Sequence, residues 1–488
     1  MKTTFRTICL CLALGLAWAM QAQTEDDFWT GIDSPVTGVY SLIEDADGNI
    51  ILGTTAGLYS SSDGGATWNL IGLDDIGVLC LYEHIDGALL AGSNFGEHVL
   101  YKREAGSTEW RALPVPTIMN GVSMGVTSDN SLLLGTWEGI YKSTDWDSTW
   151  TNVYVDHSLV CEVTALLKLN NGTMLATVFD HIGMGMGGVF SSTDNGETWN
   201  YIGLSNKYPV SLAKNSKDEI YVGCIVNYDP DIHERGFYKS SDYGETWEEF
   251  LPDHCVQSIT VDDNDVIYVN LYCDAWGNPF GIYRWENGED WLWGLHAGMP
   301  DKRIEKQFLS NDGYLYAFGQ YDNQIYRSRK SVYDELDIEV VTCPENGGTA
   351  GGSGTYRFGE MARLFAREND GFQFAGWTNQ DGDTISTEAE YIHMIARGGQ
   401  ITANFVSIEG LDESAETVFT IWPNPASETV HIEGIKPAEV QVYNALGQVV
   451  KTMQNTNEID VSGLAEGVYV LRITDAEGNS YTNKITKQ

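Results

Sequence analysis

One octet, S-x-D-x-G-x-T-W, is written three times in this chain: residues 61–68 read SSDGGATW, 192–199 read STDNGETW and 240–247 read SSDYGETW. Ahead of each stands a short strand-like stretch ending in an aromatic. That stretch recurs seven times, at Tyr59, Tyr101, Tyr141, Phe190, Tyr238, Tyr283 and Tyr326, in steps of 42, 40, 49, 48, 45 and 43 residues. A period of 40 to 50 with no helical pattern is the length of a four-stranded propeller blade. The repeat therefore predicts a seven-bladed β-propeller.

Within the first repeat the strands fall at residues 38–43, 49–54, 57–61 and 67–71, with Asp45-Ala46-Asp47-Gly48 as a turn. Alternation and β-branched or aromatic residues support each placement. The octet then lies on the turn between the third and fourth strands. Its closing tryptophans are Trp68, Trp110, Trp150, Trp199, Trp247 and Trp291, six against seven aromatics. Trp29 supplies the seventh, because FWTGID at 28–33 reads like TWNLIG at 67–72. The N-terminal segment is thus expected as the outer strand of the last blade, whose other strands come from 303–329. Without that closure the first and last blades would show unpaired edges.

The octet resembles the Asp-box of sialidases, sortilin-type receptors and xyloglucanase-type propellers. Its positions here are Ser61, Asp63, Gly65 and Trp68; Ser192, Asp194, Gly196 and Trp199; and Ser240, Asp242, Gly244 and Trp247. A fourth copy has Ser143, Asp145 and Trp150, with Asp147 where glycine belongs. Asp and Ser can cap backbone N–H groups of a tight turn, and glycine takes a conformation that opposes a Cβ. The tryptophan is expected between blades. The resemblance implies a structural turn on the face away from any ligand. A calcium at Asp63, Asp194 and Asp242 lacks further carboxylates at ligand spacing, so no cofactor and no metal site is implied.

Ligands of propellers usually meet the loops after strand two and before strand one. Here those loops are long in repeats four to six, at 178–188, 224–236 and 271–281. Insertions on adjacent blades are where a repeat protein builds a binding surface. The candidate ligand-binding groups are Asp180, His181, Asp229, Asp231, His233, Glu234, Arg235, Asp274 and Trp276, with His157 and His254 on loops before strand one. Trp276 could stack a sugar ring. Asp229, Asp231 and Glu234 with His233 could bind a metal or supply the paired carboxylates of glycoside hydrolysis. The plainer reading is that these polar residues hold their own turns. Sialidases carry an arginine triad and an F/Y-R-I-P stretch; that stretch is absent here and the propeller is poor in arginine, which argues against sialidase activity. The favoured function is recognition of an extracellular glycan or protein. The alternative is a glycoside hydrolase, sialidase-like or xyloglucanase-like, using carboxylates on the long loops.

A formal net charge of -41 over 488 residues excludes nucleic-acid binding through phosphates. The N-terminus reads as a signal peptide, with Lys2 and Arg6 before an apolar run at 8–19 and cleavage after Ala22 or Gln23. No second apolar run approaches 18 residues, so no transmembrane segment is expected after cleavage. Six cysteines remain, Cys80, Cys161, Cys224, Cys255, Cys273 and Cys343, without a C-x-x-C. They read as buried thiols, or as one bridge among Cys224, Cys255 and Cys273.

After Val332 the repeat stops. Gly347-Gly348, Gly352-Ser353-Gly354-Thr355-Tyr356, Gly359-Glu360, the run from Gly371 to Trp377 and Thr402-Ala403-Asn404-Phe405 resemble a divergent internalin B-type repeat, with Phe372, Phe374, Trp377 and Phe405 as a small core. A polar linker follows. Pro423-Asn424-Pro425, Tyr443-Asn444-Ala445-Leu446-Gly447-Gln448, Gly467-Val468-Tyr469, Lys484 and Lys487 resemble the type IX secretion C-terminal sorting domain. Their period-two strands suit an Ig-like β-sandwich. That resemblance implies the type IX secretion machinery as partner, through residues 418–488, and export across the outer membrane to the cell surface or beyond. The expected layout is all-β: signal peptide 1–22, seven-bladed propeller 24–332, β-rich internalin-repeat-like module 335–407, linker 408–417 and sorting domain 418–488.

Overall fold

A computed structural model describes residues 27–488 apart from 95–96, 156–160, 182–186, 206, 226–234, 253, 275–280, 287–291, 300–303, 320–323, 409–418, 445–446 and 477. Every regular element it describes is a strand. The chain forms two compact units, the first holding the repeat together with Arg357–Met361 and Met394–Arg397.

The first unit contains seven four-stranded antiparallel sheets among the described residues. Blade 1 is Val39–Glu44, Ile50–Thr54, Gly57–Ser61 and Asn69–Gly72, ordered from inside out. The innermost strands of blades 2 to 7 are Val78–Glu83, Gly121–Val126, Cys161–Lys168, Tyr208–Lys214, His254–Val261 and Lys306–Leu309. Each touches the next, and the last touches the first, so the sheets close a cycle. This is a β-propeller, with one inner strand per blade around an axial channel.

The seams between blades explain a sequence pattern that periodicity alone leaves unread. The second strands carry Gly53-Thr54, Gly92-Ser93, Gly135-Thr136 and Gly223-Cys224 at equivalent places. A Cβ on Gly53 would lie 2.3 Å from Ser41 Oγ and 2.8 Å from the Val78 carbonyl oxygen of the next blade. The missing side chain lets an inner-strand polar group turn into the seam. Ser123 Oγ donates to the Val163 carbonyl of blade 4 at 2.6 Å, and Cys80 Sγ to the Gly121 carbonyl of blade 3 at 3.4 Å. Burial pushes the Cys80 thiol up to about 12, so it stays protonated. Six of the seven inner strands bulge one residue before this position; Lys306–Leu309 does not.

Blade 7 is completed from the far end of the chain. Trp29–Asp33 pairs antiparallel with Gln324–Ser328, from Trp29 opposite Ser328 to Asp33 opposite Gln324. Trp29 is fully buried there. The register also corrects one alignment. Arg284 pairs with Trp293 as Lys239 pairs with Glu248, so Leu292 takes in blade 6 the place that Trp247 has in blade 5. Trp291, expected there, lies outside the described residues.

The second unit carries the remaining sheets. In its first part Glu335–Cys343 runs parallel to Gly399–Ser407, with Phe372–Thr378 antiparallel on the other side. Trp377 is fully buried and Phe374 lies against it at 5.5 Å and against Phe405 at 5.7 Å, while Phe372 is half-buried at the margin. The last part is a sandwich. Thr420–Trp422, Thr429–Glu433 and Glu458–Asp460 form one sheet; Val449–Gln454, Pro437–Tyr443, Gly467–Asp475 and Ser480–Lys487 form the other. Val430, Val440, Leu471, Ile473 and Ile485 fill the space between them.

Candidate functional site

The octet turns satisfy their own backbone. In blade 5, Ser240 Oγ donates to Asp242 at 2.7 Å and accepts from the Gly244 N–H at 2.8 Å; Asp242 accepts from the Thr246 N–H at 2.9 Å. Blades 1 and 4 repeat these bonds at Ser61, Asp63, Gly65 and Thr67 and at Ser192, Asp194, Gly196 and Thr198. Hydrogen bonds hold all three carboxyls down at about 2, the largest contribution coming from Ser61 at Asp63, Thr198 at Asp194 and Thr246 at Asp242. The glycine is needed because φ is +101° at Gly65, +81° at Gly196 and +91° at Gly244. Blade 3 solves the turn differently. Trp146 alone takes positive φ, its N–H reaches Ser143 Oγ, and its buried ring packs against His84 and Tyr82 of blade 2. Asp147 is thereby freed from the left-handed region.

The closing tryptophans bridge blades at three of these turns. Trp68, Trp110 and Trp247 donate Nε1 to the carbonyls of Asp33, Ile71 and Ile202, each in the preceding blade. Trp150 and Trp199 instead donate within their own turns, to Asp147 and Gly196. The Ser, Asp and Thr side chains of these turns are spent on the turns themselves. Among the described residues no group of three or more His, Cys, Asp or Glu could hold a metal ion.

The opposite end of the blades, where strand two turns into strand three, is different. Trp137 follows the second strand of blade 3, Leu132–Thr136, in a turn of two residues before Gly139–Ser143. Its ring meets the His181 imidazole at 4.9 Å, across the seam to blade 4. His181 follows the strand Met174–Asp180 and is paired through Nε2 with Glu162, 2.9 Å away, at the start of the inner strand of blade 4. Their side chains are 24% and 19% exposed, so the pair is reachable from solvent. Phe179 lies 4.6 Å from His181 and 5.2 Å from Tyr208, the first residue of the inner strand of blade 5. An aromatic run thus crosses three blades, its Trp137 and His181 half-exposed and its Phe179 and Tyr208 buried, with one carboxylate set into it.

Lys306 begins the inner strand of blade 7 at the same end of the channel. Desolvation by the surrounding protein lowers its pKa, and the charges of Glu162 and Glu305 oppose the shift.

The sequence-level candidates are distributed unevenly over this surface. His181 is in the aromatic run. Asp180 is buried, 2% exposed, at the end of its strand. The Asp274 backbone pairs with His254 across blade 6. His157, Asp229, Asp231, His233, Glu234 and Trp276 lie outside the described residues. Trp137, Glu162, Tyr208 and Lys306 were not anticipated. Trp137 sits in one of the shortest loops, and Glu162 and Tyr208 sit on inner strands, so a search for long polar loops passes over them.

Residues 420–488 match the secretion system C-terminal sorting domain and 338–409 the divergent InlB B-repeat domain. The chain is therefore a propeller protein sorted by type IX secretion to the cell surface or the extracellular space. No curated protein matches its sequence. Among solved structures, it is similar to the extracellular domain of a hybrid two component system from B. thetaiotaomicron, at 13% identity and TM-score 0.50, over 93% of this chain and 58% of that one. It spans only that part of the longer chain. It is also similar to the GH74 xyloglucanase from Xanthomonas campestris, at 12% identity and TM-score 0.50, over 93% of both chains. At such identities the likeness is one of fold.

Proposed function

We propose that the exported chain is a glycan-recognition protein and that its binding surface is the end of blades 3 to 5 where Trp137, His181 and Glu162 reach solvent, with Phe179 and Tyr208 buried beneath them. The observation that carries this reading is the aromatic run Trp137–His181–Phe179–Tyr208 with Glu162 bonded into it. Aromatic faces take up the C–H face of a pyranose, and a few fixed polar groups set its orientation. The octet turns supply no such combination, since their polar atoms are spent on backbone. Export to the cell exterior places the surface among extracellular glycans.

The test is a glycan array probed with the purified full chain, alongside a panel of chromogenic glycosides. Saturable binding without turnover, lost in Trp137→Ala, supports recognition. Turnover abolished by Glu162→Gln would replace this reading with glycoside hydrolysis. Wild-type binding undiminished by both substitutions would place the site elsewhere.

A further inference from the structure

The last strand of the chain, Ser480–Lys487, lies at the edge of its sheet and pairs on one side with Gly467–Asp475. An edge strand leaves a row of N–H and C=O groups without ladder partners. Over the final residues these groups are nevertheless taken. Asn424 Nδ2 donates to the Lys484 carbonyl at 2.8 Å, and the Thr486 N–H donates to Asn424 Oδ1 at 2.8 Å. The Ala426 N–H donates to the Thr486 carbonyl at 2.8 Å, and the Gln488 N–H to the Ala426 carbonyl at 3.0 Å.

A carboxamide carries a donor and an acceptor side by side, as a peptide group does. Asn424 therefore stands in for one peptide of a partner strand, and Ala426 supplies the next. Pro423 and Pro425 flank Asn424 and have no N–H to donate, so the lacing falls to its side chain and to Ala426. Asn424 itself is exposed, while the sandwich core is filled by Val430, Val440, Leu471, Ile473 and Ile485. Its two bonds thus fix the place of the last strand and add nothing to the core. Residues 60 positions apart, at the two ends of the sorting domain, form one edge.

We propose that this laced edge, and not the last strand alone, is what the export machinery reads on the sorting domain, and that Asn424 is its positioning residue. With its edge groups occupied, the stretch from Lys484 to Gln488 is closed to capture by strand addition. It is read instead through side chains held in a fixed place, among them the exposed Lys484. Without Asn424 the end of the strand frays and those side chains lose their positions.

The test follows surface display of the full chain by protease accessibility on whole cells, beside melts and amide exchange of the purified protein. Asn424→Ala should lower display ten-fold or more, with folded chain accumulating in the periplasm and faster exchange at the Thr486 amide. Asn424→Asp keeps the acceptor for that amide and loses the donor to Lys484, so its display should be intermediate. Asn457→Ala is the control. Its side chain donates to the Ile432 and Ile435 carbonyls, so the same number of bonds is lost in the same sandwich, away from the last strand. It should display at the parental level. Parental display of Asn424→Ala would overturn the proposal. So would an equal loss of display in Asn457→Ala, which would make the effect one of stability. A rise in display of Asn424→Ala would also overturn it, showing the lacing to be a lock that the machinery opens in order to add a strand. Each of these results leaves the sorting assignment standing, since that falls only if removal of 418–488 leaves display intact.

Discussion

Trp29 Nε1 donates to the Leu295 carbonyl at 2.6 Å, across 266 positions of sequence. Leu295 follows the outer strand of blade 6, so the N-terminal tryptophan does for blade 7 what Trp68, Trp110 and Trp247 do for blades 1, 2 and 5. The chain end is held both by the strand pairing with Gln324–Ser328 and by an aromatic seated against the neighbouring blade.

Trp29→Ala should therefore cost about 3–5 kcal/mol, as a large aromatic removed from a filled site. Deleting residues up to 33 should go further and leave the edge of Gln324–Ser328 unpaired. Thermal melts read the first effect and light scattering the second. A truncated chain that melts like the parent and stays monodisperse would show that blade 7 closes without its outer strand.

The octet is turn chemistry, and Ser240 isolates it. Ser240→Ala removes the acceptor for the buried Gly244 N–H and should cost about 1–3 kcal/mol. Ligand affinity of the folded variant should not change. A stable variant that has lost binding would put the functional surface on the octet face.

Acid should find the same turns. Asp63, Asp194 and Asp242 have folded-state pKa values of about 2 against an ordinary 3.8. A depressed carboxyl contributes stability that is complete above its unfolded value and disappears as pH falls through the folded one. The Tm should hold level down to about pH 4 and decline toward pH 2, and a triple Asp→Asn variant should decline less over that interval. Equal slopes for the two proteins would contradict this assignment.

Gly203 tests the seam from its other side. Its φ is +142°, and a Cβ there would lie 2.4 Å from the Trp247 indole nitrogen. Gly203→Ala should cost about 1–3 kcal/mol in backbone strain before the ring is displaced. Trp247 fluorescence should report the displacement, and an unchanged spectrum and melt would refute it.

Removing residues 418–488 deletes the sorting domain while leaving the propeller's strand pairing intact. The truncated protein should accumulate folded in the periplasm. Surface display at the parental level, measured by protease accessibility on whole cells, would sink the sorting assignment.

The repeat, most of the outer-strand tryptophans and the two C-terminal modules were legible in the chain because each is local. A blade is one supersecondary unit, and its turn writes the same capping residues wherever it recurs. Phe28 to Asp33 could be matched to the last blade for the same reason, since an outer strand keeps its pattern at either end of the sequence. Leu292 escaped because a single-residue register shift is decided by pairing with Arg284 and leaves the composition unchanged. The candidate surface lay further out of reach. His181 was marked by its long loop, but Trp137, Glu162 and Tyr208 come from three blades, and each is unremarkable among its own neighbours in sequence. Only the closing of the ring brings their seams together.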